Sequence, residues 1–366
     1  MIPHFNKIHN RFKLNGEHYN QDVLKEVAAD YIKEGEPYQK VIGDFLLDWL
    51  NNKDDIKVTT SGSTGSPKLL ALKKQSMVHS ALATGDYFGL APGDTALHCL
   101  PTGFIAGKMM LVRALILGLE LDIVEPSAQP LAFTSKPYDF CAMVPLQLQQ
   151  SITQLNYIKT LIVGGALVTQ KLQNQIQDTS CHVYATYGMT ETVTHIAVKK
   201  LNNVPSLRGG TTKQSVEEAF KILPNISIET DERDCLVINA PRLTEHPVVT
   251  NDIVELTSKN SFKLLGRVDN VINSGGVKLF PEQIEEKLAQ VIETPFFVAS
   301  KKNDSLGESL ILVVEGLPNT DHLKTAIKGI KNLDKYEIPK EILSVPQFVT
   351  TASGKLQRKL TLELLQ

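Results

Sequence analysis

From Thr95 to Thr186 the sequence alternates between short apolar runs and segments with apolar residues at helical spacing. Strand patterns at Thr95–Leu100, Leu121–Val124, Phe140–Val144, Thr160–Val163 and His182–Thr186 enclose helix patterns at Lys108–Leu117, Leu146–Gln154 and Thr169–Gln177. A parallel strand needs a crossover to return to the same end of a sheet, so this alternation predicts parallel βαβ units and a layered α/β core. In such sheets ligands sit at the carboxyl ends of the strands.

The flanking regions differ. Asp22–Lys33, Tyr38–Leu50 and Lys73–Phe88 read as helices, the first two amphipathic. Around Asn225–Asn239, apolar alternation on both sides of Asp231-Glu232-Arg233-Asp234 predicts a hairpin, and Val248–Leu256 and Phe262–Leu265 add strands. Turn chemistry returns at Gly266–Gly276. Beyond it, helix patterns at Glu282–Val291 and His322–Ile330 and strand patterns at Pro295–Ala299 and Leu310–Val314 predict a small α+β unit. At 366 residues the chain exceeds what one core usually holds, so two domains are expected: 1–268, a large α/β domain, and 269–366, a small mobile α+β domain joined at a hinge.

Composition excludes more than it assigns. Lys+Arg 38 against Asp+Glu 40 gives a net charge of −2, which offers neither nucleic acid nor an anionic membrane a reason to bind. No stretch approaches transmembrane length and Met1–Lys7 begins no signal-peptide pattern, so a cytoplasmic protein with no stable membrane insertion is expected. Cys99, Cys141, Cys181 and Cys235 are scattered without a CxxC pair and read as buried thiols. His4, His9 and His18 match no metal-ligand spacing. No feature sets an oligomeric state.

Thr59–Lys68, Thr-Thr-Ser-Gly-Ser-Thr-Gly-Ser-Pro-Lys, follows the strand-like Ile56-Lys57-Val58. Glycines bring backbone N–H groups close to an anion, hydroxyls add donors and lysine adds charge, a set suited to nucleotide phosphates. The Walker A pattern fails, since Gly62 and Gly65 are three apart and Leu69 follows Lys68. Composition alone fits a Ser/Thr/Gly linker equally well.

Five further clusters follow. Gly164-Gly165-Ala166 closes a strand and could let a flat ring lie on bare backbone, although strand-to-helix turns are glycine-rich anyway. In Tyr187-Gly188-Met189-Thr190-Glu191, Tyr187 can stack on a purine, Thr190 can donate to phosphate and Glu191 can hold Mg²⁺; the same stretch also fits a strand-end turn with a solvated glutamate. Asp252, read as a strand-end carboxylate, can accept from ribose hydroxyls with Arg267 beside it, or the two can form a surface pair. Near the end, Ser274-Gly275-Gly276 and Ser353-Gly354-Lys355 with Arg358 are loops that could be solvated.

Taken in order, Thr-Ser-Gly-Ser-Thr-Gly-x-Pro-Lys, Tyr-Gly-Met-Thr-Glu, Asp252, Gly-Arg-x-Asp-Asn, Ser-Gly-Gly and Ser-Gly-Lys-x-x-Arg resemble the adenylate-forming superfamily, from Ile56 to Arg358. The departures are a short stretch before the phosphate loop, which implies a large domain shortened at its N-terminus, and Thr-Asn-Asp where Thr-Gly-Asp is commoner. Leu100-Pro101, Phe104–Leu115 and Met189–Ala197 place the resemblance closest to the o-succinylbenzoate–CoA ligases of menaquinone biosynthesis.

The resemblance implies an AMP-forming ligase that uses ATP and Mg²⁺ to adenylate a small carboxylate and coenzyme A to take the acyl group. It assigns ATP and AMP contacts to Thr60, Ser61, Gly62, Ser63, Thr64, Gly65, Lys68, Gly164, Gly165, Ala166, Tyr187, Gly188, Met189, Thr190, Asp252 and Arg267. It makes Glu191 the metal residue, Lys355 the adenylating lysine, Asp269 the hinge, and Gly275 and Gly276 the border of the coenzyme A channel. His195 and Lys108 are candidates to hold a second carboxylate of the acid, because a buried carboxylate needs a donor. A ligase for another acid, a stand-alone adenylation enzyme and a silent nucleotide-binding relative are the alternatives.

Overall fold

The computed structural model describes residues 2–59, 69–204, 218–350 and 356–365. The expectations for Thr60–Lys68 and Lys355 lie outside the described residues. The chain opens with a short hairpin, β1 (Lys13–Leu14) and β2 (Glu17–His18), and two helices, α1 (Gln21–Glu34) and α2 (Pro37–Leu50). Asn20 starts α1 by accepting the N–H groups of Asp22 and Val23, both at 3.0 Å. Pro37 starts α2, where a missing N–H has no helical partner to lose. The helices approach so closely at Gly43 that a Cβ there would stand 2.4 Å from the Ala28 carbonyl oxygen. Phe45, Leu46 and Trp49 carry α2 into the main core.

A two-stranded antiparallel ribbon follows, β3 (Asp55–Thr59) with β4 (Leu69–Lys73), and Thr59 pairs with Leu69. The expected phosphate loop therefore joins two strand ends that the ladder holds side by side. Next come α3 (Lys74–Phe88), β5 (Thr95–His98), α4 (Ile105–Leu117), β6 (Glu120–Ile123), β7 (Tyr138–Met143), α5 (Pro145–Gln150), β8 (Ile158–Val163), α6 (Gln170–Gln175) and β9 (His182–Gly188). Strands β9, β8, β7, β5, β6 and β1 lie side by side in that order and pair in parallel, as the alternation predicts. The reading of Leu146–Gln154 as one helix needs correction. Ser151 leaves helical geometry and its N–H turns back to Leu148, so a 3₁₀ segment, Ile152–Tyr157, follows α5.

Beyond β9 the sheet becomes antiparallel through β10 (His195–Lys200), β11 (Phe220–Ile222), β12 (Ser227–Thr230), β13 (Cys235–Asn239), β14 (Val248–Ser258) and β15 (Ser261–Arg267). Thirteen of the described strands form one sheet ordered β12-β13-β14-β15-β11-β10-β9-β8-β7-β5-β6-β1-β2. The expected hairpin is β12–β13; its turn is held by Asp231, whose Oδ1 accepts the N–H groups of Arg233 and Cys235 at 2.9 Å. All four cysteines are buried and free.

A second, smaller sheet holds β16 (Ile272–Ser274), β17 (Val277–Leu279), β18 (Phe296–Asn303), β19 (Gly307–Glu315) and β20 (Glu341–Val345), with helices α7 (Pro281–Leu288), α8 (Thr320–Lys328) and α9 (Arg358–Glu363). Its core, with Ile272, Ile284, Leu312 and Ile327, is its own. The fold is α/β, a large domain followed by a small α+β domain.

Two outcomes follow from the packing. Gly43→Ala forces backbone apart and should cost about 1–3 kcal/mol in urea unfolding; an unchanged midpoint would contradict the close approach. His98, at the end of β5, is 1% exposed and donates to or accepts from Thr102 Oγ1 at 2.8 Å; burial pulls it from 6.5 down to about 4. Between those values the unfolded chain binds a proton that the folded chain refuses, so stability is lost as pH falls. The loss between pH 7 and pH 4 should be about 3 kcal/mol larger in the wild type than in His98→Gln; equal slopes would contradict it.

Candidate active site

At the carboxyl end of β8 the two glycines serve different needs. A Cβ on Gly164 would lie 2.4 Å from Thr186 Oγ1, whose hydroxyl donates to the Val163 carbonyl at 3.1 Å. Gly165 has φ +87°, which a side chain disfavours. Ala166 follows, exposed. At the neighbouring end of β9, Gly188 pairs with His195 of β10, and a Cβ on Gly188 would stand 2.4 Å from both the Thr194 oxygen and the His195 Cα. Between them Met189 leads into a 3₁₀ turn, Thr190–Thr192, pinned by the Met189 N–H donating to Thr192 Oγ1 at 3.2 Å. Val193 closes this turn at φ 67°, a strained backbone for a β-branched residue. The turn leaves Thr190 half-buried and Glu191 exposed.

Tyr187 is more enclosed than a stacking platform. It is 8% exposed, its ring packs edge-on against Phe262 with centroids 5.1 Å apart, and its hydroxyl donates to Asp252 Oδ2 at 2.6 Å. Burial, reinforced by the Asp252 charge, raises its phenol above the ordinary value and keeps it protonated. Asp252 is not at a strand end as expected. It lies within β14 opposite Arg267 of β15, because β14 keeps pairing on both sides past this point. Arg267 donates to Asp252 Oδ1 at 3.3 Å and to Asp269 Oδ2 at 3.2 Å, and Asn251 also donates to Asp269 at 3.3 Å. Tyr187, Asp252, Arg267 and Asp269 thus form one chain of contacts. Asp252 spends one lone pair on Tyr187 and one on Arg267, and a carboxylate has about four.

Sequence reasoning missed a buried cluster behind Gly188. Arg113 of α4 is 2% exposed, and among the described residues no carboxylate pairs with it. Its NH2 reaches Thr194 Oγ1 at 3.4 Å and His195 Nδ1 at 3.5 Å, and its Nε reaches Thr84 Oγ1 at 3.4 Å. Burial pulls the guanidinium down to about 10, so it stays charged at neutral pH. His195 is held well below its usual value by burial and by Arg113, so it is neutral. Arginine only donates, which makes Nδ1 the acceptor and places the proton on Nε2, 3.5 Å from Thr84 Oγ1. The signal was available: Arg113 interrupts the apolar run Met109–Ile116 of α4. Lys108 does not join the cluster. Its Nζ sits 5.0 Å from the Phe45 ring centroid and is drawn by Asp48 and Asp44 of α2.

In the small domain Gly275 and Gly276, at φ +57° and +82°, make the two-residue turn between β16 and β17 that such angles favour. Asn270, in the turn after β15, donates to Glu282 Oε1 of α7 at 2.5 Å. Arg358 grips Glu285 through NH1 and NH2 at 2.5 and 2.8 Å and the Val298 carbonyl at 3.0 Å, which anchors the start of α9 next to the Lys355 segment. Among the described residues no three His, Cys, Asp or Glu converge as a metal cage. Glu191 makes no ion pair there and is exposed, which fits Mg²⁺ shared between one carboxylate and phosphate oxygens.

The AMP-binding enzyme family profile matches residues 52–229. A solved acyl-CoA synthetase (AMP-forming)/AMP-acid ligase II-like protein from Dyadobacter fermentans is 38% identical, covers 93% of this chain and 98% of its own, and superposes with a TM-score of 0.60. The chain belongs to the AMP-binding enzyme family. This AMP-binding enzyme is also similar to the 2-succinylbenzoate–CoA ligase of Lactococcus lactis, at 23% identity over 93% of this chain and 78% of the relative. O-succinylbenzoate coenzyme A synthetase of Bacillus subtilis, solved with ATP and magnesium ion, shares its fold at 19% identity and a TM-score of 0.70 over 86% of this chain and 74% of that one.

Removing Arg358 tests the small domain's anchor. Arg358→Met strands the half-buried Glu285 carboxylate and should cost about 1.5–3 kcal/mol in chemical unfolding; a loss below 1 kcal/mol would show that the pair holds nothing.

Proposed function

We propose that this enzyme joins a carboxylic acid to coenzyme A through an acyl-adenylate, and that the acid carries a second carboxylate, as o-succinylbenzoate does. One observation supports the acid's class: Arg113 is a buried positive charge with no acidic partner among the described residues, next to a neutral His195 and behind the glycine that ends β9. Burying a lone charge is costly. A substrate carboxylate reaching this cluster would complete an ion pair with Arg113 and could accept from Thr194 as well.

In the first half-reaction a carboxylate oxygen of the acid bonds to the α-phosphorus of ATP and the bond to pyrophosphate breaks. By the family resemblance, Thr60–Lys68 grips the departing phosphates, Thr190 donates to the α-phosphate and Lys355 bridges carboxylate and phosphate. Asp252, with lone pairs to spare, accepts from the ribose hydroxyls beside Arg267. The adenine lies along Gly164–Ala166 and the exposed edge of Tyr187, with Gly188 and Met189 closing the floor. Mg²⁺ on Glu191 would neutralise charge that builds on the phosphates. In the second half, the coenzyme A thiolate attacks the acyl carbon and AMP leaves. Rotation of the small domain about Asp269 would exchange Lys355 for the Gly275–Gly276 turn. No helix among the described residues is long and apolar enough to cross a membrane; we place the reaction in the cytoplasm, with no nucleic-acid partner.

Measuring AMP, pyrophosphate and thioester with o-succinylbenzoate, benzoate, acetate and fatty acids tests the reading. Turnover should be fastest with the dicarboxylate, and Arg113→Met should raise its KM about 100-fold while leaving benzoate's nearly unchanged. Equal effects on both acids would remove Arg113 from the acyl site. Lys355→Ala should abolish adenylate formation yet largely spare thioester formation from supplied acyl-adenylate; equal loss of both halves would sink that role.

A further inference from the structure

Asp252, the proposed ribose acceptor, sits at a break in the ladder between β13 and β14. Val237 pairs with Val249 and Cys235 with Ile253, so the single residue Leu236 of β13 stands against Thr250, Asn251 and Asp252 of β14. Regular antiparallel pairing sets one residue against one, and the surplus makes this stretch a β-bulge, a device that re-aims side chains. Here the bulge carries Asp252 to the Tyr187 hydroxyl at 2.6 Å and to Arg267 at 3.3 Å. Backbone groups that a bulge takes out of the ladder need other partners.

The partner comes from the turn of the β12–β13 hairpin. Arg233 NH2 donates to the Thr250 carbonyl and NH1 to Asn251 Oδ1, both at 3.1 Å. Its Nε and NH2 also donate to Asp231 Oδ2 at 2.9 and 2.7 Å, and Asp231 is itself fixed by the N–H groups of Arg233 and Cys235. A rigid guanidinium fork can hold these acceptors together, whereas an ammonium group is a point charge on a flexible stem. Asn251 stands where the commoner pattern is Thr-Gly-Asp, and a glycine would offer NH1 no side-chain oxygen. The Thr250 hydroxyl completes the brace by accepting the Asp252 N–H at 3.1 Å. Arg233 belongs to none of the nucleotide motifs, and with its side chain 46% exposed its pair with Asp231 adds little to stability.

We infer that Arg233 is a positioning residue for ATP: it holds the Thr250–Asn251 bulge in the shape that aims Asp252 at the ribose hydroxyls. The inference rests on the reading of Asp252 as the ribose acceptor. When Arg233 is removed, water takes over the Thr250 carbonyl, so the fold survives while the bulge loses its fixed shape and Asp252 its aim.

Calorimetric titration of the full-length protein with ATP and with 2′,3′-dideoxy-ATP, both with Mg²⁺ and without any acid, tests this on the wild type, Arg233→Met, Arg233→Lys and Asn251→Ala. The wild type should bind ATP at least about tenfold more tightly than the dideoxy compound, the scale of a hydrogen bond to a charged acceptor. Arg233→Met and Arg233→Lys should each weaken ATP about tenfold and leave the dideoxy compound within about twofold, so that the two perturbations are not additive. Asn251→Ala should shift the ratio in the same direction by less, and the melting temperature should barely move in any variant. A wild type that binds both nucleotides equally would remove Asp252 from the ribose, and the inference with it. A wild type that prefers ATP, with the same preference kept in Arg233→Met, would overturn the role of Arg233 alone. So would full rescue by Arg233→Lys, or an equal loss for both nucleotides, since either would mean that Arg233 acts through its charge.

Discussion

The contact on which the large domain's site depends is the hydrogen bond from Tyr187 to Asp252, 2.6 Å long. It joins the end of the last parallel strand to the antiparallel half of the sheet, two regions separated by 65 residues of chain. Arg267 continues it to Asp269, where the large sheet gives way to the small domain. Each residue has a local reason for its place: Tyr187 packs against Phe220 and Phe262, which stack on each other, and Asp252 and Arg267 face each other across a ladder. Together they put an aromatic edge, a carboxylate and a guanidinium on one line leading to the domain junction.

Two arginines show how differently the chain treats charge. Arg358, half-buried, is matched by Glu285, and the pair secures the small domain. Arg113, buried, is matched by hydroxyls, the Met110 sulfur and a neutral imidazole, none of them charged. The first arrangement is complete without a ligand; the second is not. Selectivity for an anionic group can come from such an incomplete site, because an acid lacking that group leaves the charge unpaired.

The parallel strands, the hairpin at Asp231 and the glycines at 164, 165, 188, 275 and 276 were legible because each follows from a local pattern of apolar spacing or turn chemistry. What escaped depends on distant partners. Nothing near Tyr187 in sequence foretells that Phe220 and Phe262 pack against it, and although Val248–Leu256 reads as one strand through Asp252, nothing there shows that Arg267 faces it across the ladder. The helix breaks at Ser151, a buried residue outside helical geometry that apolar spacing alone does not mark. His195 was picked for a donor role, yet its Nδ1 accepts from Arg113, a residue that the apolar run Met109–Ile116 marks as unusual without showing what it contacts. Lys108, chosen with it, belongs to the α2 interface.

Acid-dependent exchange of labelled pyrophosphate into ATP, run without any thiol, tests the central claim most directly. An acyl-adenylate forms reversibly before coenzyme A is needed, so label should enter ATP when o-succinylbenzoate and Mg²⁺ are both present and stop when either is omitted. Exchange that requires coenzyme A, or ADP and phosphate appearing in place of AMP and pyrophosphate, would contradict the account.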